Sequence, residues 1–336
     1  MNGTTEAKPV MRRLLLYDSG VTRCGNHRVV TRSRAAAVLS SLFLLFMLET
    51  SAQELEPRAY WITPKASNAV YFGYSHFHGE VVFHPLLPFE NVDARLNSTF
   101  LGYYRAIDFF GRSANVTLTM PYVWGTQEGL FLGEFHRVRP SGLADIQFRF
   151  SANLLGARTM TVPEFLEFRE DPKTIVGASI RIEAPTGKYD PDRLINVGNN
   201  RWAFKPQVGL TQPILKRFLI EAAFGVWLFT DNDEFLVDQT WSQDPLWSGE
   251  FHFVWRFRPA LWAAFDVNYF YGGRATLGEE QLPTIQGNSR LGATLSVPIR
   301  SGHSLRFAAG SGIVVRHGDN LNFFSITYQY GWISGQ

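Results

Sequence analysis

The chain of 336 residues carries one cysteine, Cys24. A lone thiol near the amino terminus excludes a disulfide framework and any metal site built on paired cysteines. An excess of one charge sign is also missing, since 32 Lys and Arg stand against 30 Asp and Glu. That balance offers no strongly basic surface for nucleic acid and no acidic tail. Beyond residue 52 no apolar run approaches the roughly 20 residues that a membrane-spanning helix needs. There is no Gly-x-Ser-x-Gly elbow. Gly187-Lys188-Tyr189-Asp190 lacks both the preceding glycine pattern and the Ser or Thr of a phosphate loop. No cofactor is expected.

Aromatic residues, by contrast, are plentiful: 28 Phe, 12 Tyr and 9 Trp make 15% of the chain, yet mean hydropathy is only −0.09. Many rings with middling hydropathy fit a transmembrane β-barrel, where only alternate residues face lipid and aromatic girdles mark both interfaces. The apolar run Ala35 to Met47 follows Arg32 and Arg34 and precedes Thr50-Ser51-Ala52. It reads as the h-region of a secretory signal peptide cleaved after Ala52. Residues 1–52 are therefore leader, and residues 53–336 form the mature domain. The polar, glycine-containing stretch ahead of the arginines is foreign to a leader. Translation is expected to start downstream, near Val29 or Val30, which would leave Cys24 outside the native protein.

A two-residue period recurs along the mature chain, as a strand with two unlike faces requires. From Asn200, Trp202, Phe204, Pro206, Val208 and Leu210 alternate with Arg201, Lys205, Gln207 and Thr211. From Ala144, Ile146, Phe148 and Phe150 oppose Asp145, Gln147, Arg149 and Ser151. Trp247, Phe251, Phe253, Trp255 and Phe257 oppose Glu250, His252, Arg256 and Arg258. Alternation of this kind predicts about twelve strands, near 68–78, 94–109, 112–123, 143–155, 174–185, 200–212, 218–230, 245–257, 261–271, 288–298, 303–315 and 321–332. The links sort by parity. Those after even strands are brief, as at Phe110–Gly111, while those after odd strands are mostly long, as at Asp231–Asp244. Short periplasmic turns and long outer loops are the habit of an outer-membrane barrel, with an even strand count and both termini in the periplasm. Two links depart from the rule: residues 156–173 form a long periplasmic link with room for a short helix, and the last outer loop near His317–Asn320 is short.

Three segments carry a family likeness: "SGLADIQFRF" from Ser141, "APTGKYD" from Ala184, and "NVGNNRWAFKPQVGLT" from Asn196. In order and spacing the chain resembles the outer-membrane family labelled "MetA-pathway of phenol degradation", whose members are also called transporters. The family's usual Gly-Leu-Gly-Asp is here Gly142-Leu143-Ala144-Asp145. The resemblance implies a single closed antiparallel all-β barrel of the bacterial outer membrane. It further implies passive uptake of small hydrophobic or aromatic compounds; the solute comes from the resemblance alone.

Asp145, Arg149, Arg181, Glu183, Arg201, Lys205, Glu221, Glu250, His252, Arg256, Asp266, Arg290 and Arg306 all fall on polar faces and are the candidate lumen lining. Asp145, Arg181, Glu183, Arg201 and Lys205 lie on consecutive strands and form the preferred polar wall. The competing reading is a set of paired ladders that plugs a narrow, structural barrel. Trp227, Phe229 and Trp262 offer stacking surfaces or simply fill space. His76, His78, Glu80 and His84 cluster near the outer rim, but ordinary surface histidines are the simpler account and no metal is expected. Asn97-Ser98-Thr99 and Asn115-Val116-Thr117 match sequons and read as polar lumen faces. A membrane-embedded lipase would need a nucleophile pair, and the only adjacent one, His303-Ser304, falls at a short periplasmic turn. The protein is therefore not expected to be an enzyme. Expected partners are outer-membrane lipid, the barrel-assembly machinery and the solute, with no nucleic acid. Pro206, awkward inside a strand, predicts a local bulge.

Overall fold

A computed structural model describes residues 55–82, 89–193, 195–236 and 238–334. The leader, Cys24 and His84 lie outside these residues. In chain order the strands are β1 (Ser67–Val82), β2 (Phe89–Phe109), β3 (Arg112–Phe131), β4 (Glu134–Val138), β5 (Ser141–Leu143) and β6 (Ile146–Leu155). After helix α1 (Val162–Glu170) come β7 (Ile175–Ala184), β8 (Ala203–Ile214), β9 (Phe218–Phe229), β10 (Asn232–Phe235) and β11 (Gln239–Gln243). The chain continues through β12 (Leu246–Arg258), β13 (Leu261–Gly272), β14 (Ala275–Leu277) and β15 (Glu280–Gln281). It ends with β16 (Gln286–Arg300), β17 (His303–Val314) and β18 (Gly318–Ile333).

Twelve of these close an antiparallel barrel in the order β1, β2, β3, β6, β7, β8, β9, β12, β13, β16, β17, β18, with β18 returning to β1. Closure is what lipid demands, because each unpaired backbone group in hydrocarbon costs several kcal/mol. The period-2 pattern then decides the faces. Phe72 and Phe224 point outward and are more than half exposed, whereas Asp266 and Asn268 point inward and are at most 1% exposed. Rings gather at both ends of the outer surface. Trp247 stacks on Phe224 at 5.5 Å toward the outside, and Trp255 meets Phe257 at 4.3 Å toward the periplasm. These are the two girdles expected of a barrel.

The predicted strands stand where the alternation put them, with three differences. The first three run longer at their outer ends. The expected loop 124–142 is instead the rest of β3 with β4 and β5, and β5 and β6 together replace the predicted fourth strand. The chain turns between them at Ala144 and Asp145. The long links after β9 and β13 build a separate sheet, β10-β11-β14-β15, whose segments are too short for periodicity to detect. Pro206 makes no bulge. The β7–β8 register runs without a shift from Ile175↔Thr211 to Glu183↔Ala203. Register shifts fall elsewhere in the barrel, among them one between Pro298 and Arg300 and one between Asn153 and Leu155.

In α1 the Glu164 carboxylate accepts the Thr161 backbone N–H at 2.8 Å and the Thr161 hydroxyl at 2.8 Å. Those bonds hold its pKa below the usual glutamate range. The cap is thus complete at neutral pH and is lost as pH falls through that lowered value.

The assignment of faces yields a direct expectation. Phe265→Arg, on the outer face of β13, should cost about 2–4 kcal/mol of folding free energy in phospholipid vesicles. Thr327→Lys, on the inner face of β18, should cost under about 1 kcal/mol. Guanidinium titration of both variants checks the ordering, and a reversed result would turn the barrel inside out.

Candidate functional site

Residues 55–66 do not trail into the periplasm; they cross the lumen as a strap. Gly177 and Gly209 face each other across β7 and β8. A Cβ on either would stand 2.3 or 2.1 Å from the Tyr60 ring, so only glycine lets that ring lie against the wall. The Tyr60 hydroxyl lies 3.0 Å from Ser179 Oγ and donates to Gln207 Oε1 at 3.1 Å. Asn153 Nδ2 donates to the Tyr60 carbonyl at 3.1 Å. The Glu56 carboxylate accepts from Arg181 and lies 3.9 Å from Arg149 Nε. The Arg58 backbone N–H donates to Glu221 at 2.5 Å. Leu55 reaches β16, where a Cβ on Gly292 would meet its Cδ1 at 2.1 Å.

Beside the strap runs a row of paired charges. Lys205 Nζ and Gln207 Nε2 both donate to Glu250 Oε1, at 2.6 and 2.8 Å. His252 stands between two carboxylates, its Nδ1 2.6 Å from Asp266 Oδ1 and its Nε2 3.8 Å from Glu250 Oε2. Thr294 donates to the other Asp266 oxygen at 2.9 Å, and Thr211 donates to Glu221 at 3.1 Å. These groups are nearly all buried. Removing one partner from such a set typically costs about 3–5 kcal/mol, because the other charge is left uncompensated.

Asp145 does something different from its strand neighbours. At the turn between β5 and β6, its two carboxylate oxygens accept the backbone N–H groups of Gly187 and Asn199, each at 2.8 Å. Gly187 and Gly198 press backbone to backbone; a Cβ on either would meet the other at 2.7 Å. Lys188 Nζ donates to the Ser141 carbonyl at 3.1 Å. The three segments that carry the family likeness therefore meet in one knot, which folds the 185–202 loop over the outer mouth. There Val197 and Phe235 pack with Val81, Leu96, Val123 and Leu321.

The proposed wall of five thus divides. Asp145 anchors a loop, Arg181 holds Glu56, and Lys205 holds Glu250. Arg201 donates to Gln243 and lies 4.3 Å over the Phe229 ring, and Glu183 is 5% exposed. Arg290 is buried 5.8 Å from the Phe323 ring centroid. Arg256 and Arg306 sit at the periplasmic end, beside Trp262. Trp227 and Phe229 stack at the opposite, outer end of the barrel. The three rings therefore make no single stacking surface.

His76 and His78 stack at 5.6 Å on the outer face, and His76 Nδ1 is 3.0 Å from Asn97 Oδ1. Asn97 accordingly faces outward, which corrects its reading as a lumen residue; Asn115 faces inward. Among the described residues no cluster of three metal-ligating side chains occurs.

The opposite wall, β17 through β3, is built from small residues. Ala308, Ser325, Thr327, Thr117 and Thr119 face inward and remain partly accessible. Tyr71 and Phe100 lie flat on this wall. Tyr71 covers Gly102 and Phe100 covers Gly73, each directly opposite, where a Cβ would stand 2.0 or 2.1 Å from the ring. The Tyr71 hydroxyl is 2.5 Å from Thr119 Oγ1. Sequence reasoning passed over these rings; glycine at the facing inward positions is the signal that could have found them.

A closed barrel with lipid-facing aromatic girdles and a polar, strapped interior is a transmembrane β-barrel of the bacterial outer membrane. The chain belongs to the family described as "Putative MetA-pathway of phenol degradation", whose model matches residues 67–332. Its fold is similar to that of an outer-membrane channel from Pseudomonas putida F1, at 15% identity and TM-score 0.69 over 83% of this chain and all of the other. The β domain of the Bordetella autotransporter BrkA is more distant, with 12% identity and TM-score 0.48 over 80% of this chain and all of that one. No match is found among the curated proteins.

The knot at Asp145 makes a testable claim. Asp145→Ala removes two charge-assisted bonds, each worth about 1.5–3 kcal/mol. Trypsin added to intact cells should then cut the variant at Lys188 or Arg193 at least about tenfold faster than the unaltered protein. Equal cleavage rates would mean that Asp145 is not what holds the loop.

Proposed function

We propose that the protein is an outer-membrane channel for passive uptake of small hydrophobic or aromatic solutes. One observation carries this reading: the lumen is asymmetric. The strap and the paired charges fill the side formed by β6 through β13, while on β17 through β3 the inward Ala308, Ser325, Thr327, Thr117 and Thr119 keep contact with water. An inward-facing side chain is accessible only where the lumen beside it is open. The solute would pass along this side, over small polar groups and the exposed faces of Tyr71 and Phe100. Such flat rings offer apolar contact without narrowing the path, and the hydroxyls beside them keep it wet. The family's description and the fold shared with a channel support the same reading.

The strap favours a second reading, a barrel plugged by its own amino-terminal segment. One set of measurements decides between them. In planar bilayers the purified protein should conduct, and phenol should interrupt the current in brief events. Tyr71→Ala with Phe100→Ala should shorten those events about tenfold, since stacking contributes about 0.5–1.5 kcal/mol per ring. Gly102→Val should push the Tyr71 ring into the path and lower the conductance. A barrel that passes no current, in cells that take up no labelled toluene, would establish the plug.

A further inference from the structure

Four cations stand exposed on three neighbouring periplasmic turns: Lys216 and Arg217 between β8 and β9, Arg258 at the end of β12, and Arg300 at the end of β16. The turns are adjacent because their strands are. The Arg256 backbone N–H donates to the Arg217 carbonyl at 2.7 Å, which ties the first turn to β12. Ser296 Oγ of β16 donates to the carbonyl of Ala260, between β12 and β13, at 3.3 Å. The chain around these turns holds no acidic residue: none occurs in 212–220, 253–263 or 295–307. Among the described residues none of the four cations is ion-paired. On the periplasmic link after β6, by contrast, Arg158 meets Glu164 at 2.9 Å and Lys173 pairs with Asp171.

The arc lies beside lipid-facing rings. Phe218, Phe253, Trp255 and Phe257 form one slab on the outer surface. Phe218 is 5.5 Å from Phe253 and 5.7 Å from Trp255, and Trp255 is 4.3 Å from Phe257. Such a slab marks the boundary between membrane and water. Arg217 and Arg258 each adjoin it in sequence, so their charges fall at headgroup depth. Among the cations, apolar side chains are left uncovered: Leu215 is 78% exposed and Ile299 56%. Leu215 is also held at φ +59°, a conformation that glycine takes easily and leucine rarely. A leucine kept uncovered on a tight turn is unfavourable in water and favourable among acyl chains.

We infer that this arc is a binding site for anionic phospholipid of the periplasmic leaflet. The phosphates rest on Lys216, Arg217, Arg258 and Arg300, and the first acyl carbons on Leu215, Ile299 and the ring slab. Guanidinium forks match phosphate oxygens in pairs. Long basic side chains lay their stems along apolar surface while their heads reach the phosphates. A soluble acidic protein would satisfy the four cations but would give Leu215 no apolar surroundings; a lipid supplies both. The site is on the outside of the barrel and does not depend on what the lumen conducts.

The test is native mass spectrometry of the full-length barrel in neutral detergent, titrated with phosphatidylglycerol or with phosphatidylcholine of the same acyl chains. Phosphatidylglycerol should be retained at least about tenfold more tightly, and raised ionic strength should narrow the difference. A variant carrying K216Q, R217Q, R258Q and R300Q together should retain the two lipids equally. R105Q with R112Q, at the turn of β2 and β3, should keep the preference. L215N, which suits the left-handed turn, should weaken both lipids alike, by about fivefold. Unheated electrophoretic mobility confirms that each variant is a folded barrel. Equal retention of the two lipids by the unaltered protein would overturn the site and leave the arc to an acidic periplasmic protein. An undiminished preference in the fourfold variant would overturn it too. So would displacement of phosphatidylglycerol by glycerol 3-phosphate at equal concentration, which would make the arc a site for free anions.

Discussion

Everything in this molecule follows from the need to pair every backbone N–H and C=O within hydrocarbon. A sheet in lipid has no water at its edges, so β1 must find β18 and the sheet must close. Closure settles which face of each strand meets lipid. The apolar faces turn outward, and the charges that would decorate the surface of a soluble sheet are sent inside. The interior is then an aqueous space too narrow to hydrate all of them, so each must find a partner or a ring.

The two halves of the lumen answer that demand differently. From β6 to β13 several of the charges are paired, and the strap supplies partners that the strands lack: Glu56 for Arg149 and Arg181, and the Arg58 backbone for Glu221. Glycines at 177, 209 and 292 make the room it occupies. From β17 to β3 there is little charge to satisfy, and small side chains with two flattened rings leave the wall accessible. The strap is thus as much a part of the ionic framework as an obstruction within it. At its lower end arginines stack on tryptophans.

The family-like motifs have a mechanical explanation of the same kind. Asp145 sits where β5 gives way to β6, so its carboxylate is free to face two backbone N–H groups of a loop. Gly187 and Gly198 allow that loop to double back on itself. What looks in the sequence like three separated signatures is a single anchorage.

Strand number, faces and end-to-end order were legible in the chain itself, because a period of two, the length needed to cross a bilayer and the parity of links are local properties. So was the inward set, since Glu250, His252 and Asp266 alternate with Phe251, Phe253 and Phe265. What each inward residue does was not legible. Arg181 and Lys205 look alike in their strands, yet one is held by a residue 125 positions earlier and the other by one 45 positions later. The strap carries no periodicity, and its place inside the lumen depends on glycines from three different strands. The row of Arg58, Arg256 and Arg306 with Trp61 and Trp262 exists only after closure, which sets strands far apart in sequence across one small space. Alternation along the chain therefore determined the barrel and the polarity of its two faces. The contents of the lumen were decided by tertiary structure, because partners across a barrel are chosen by register and curvature, which no single strand contains.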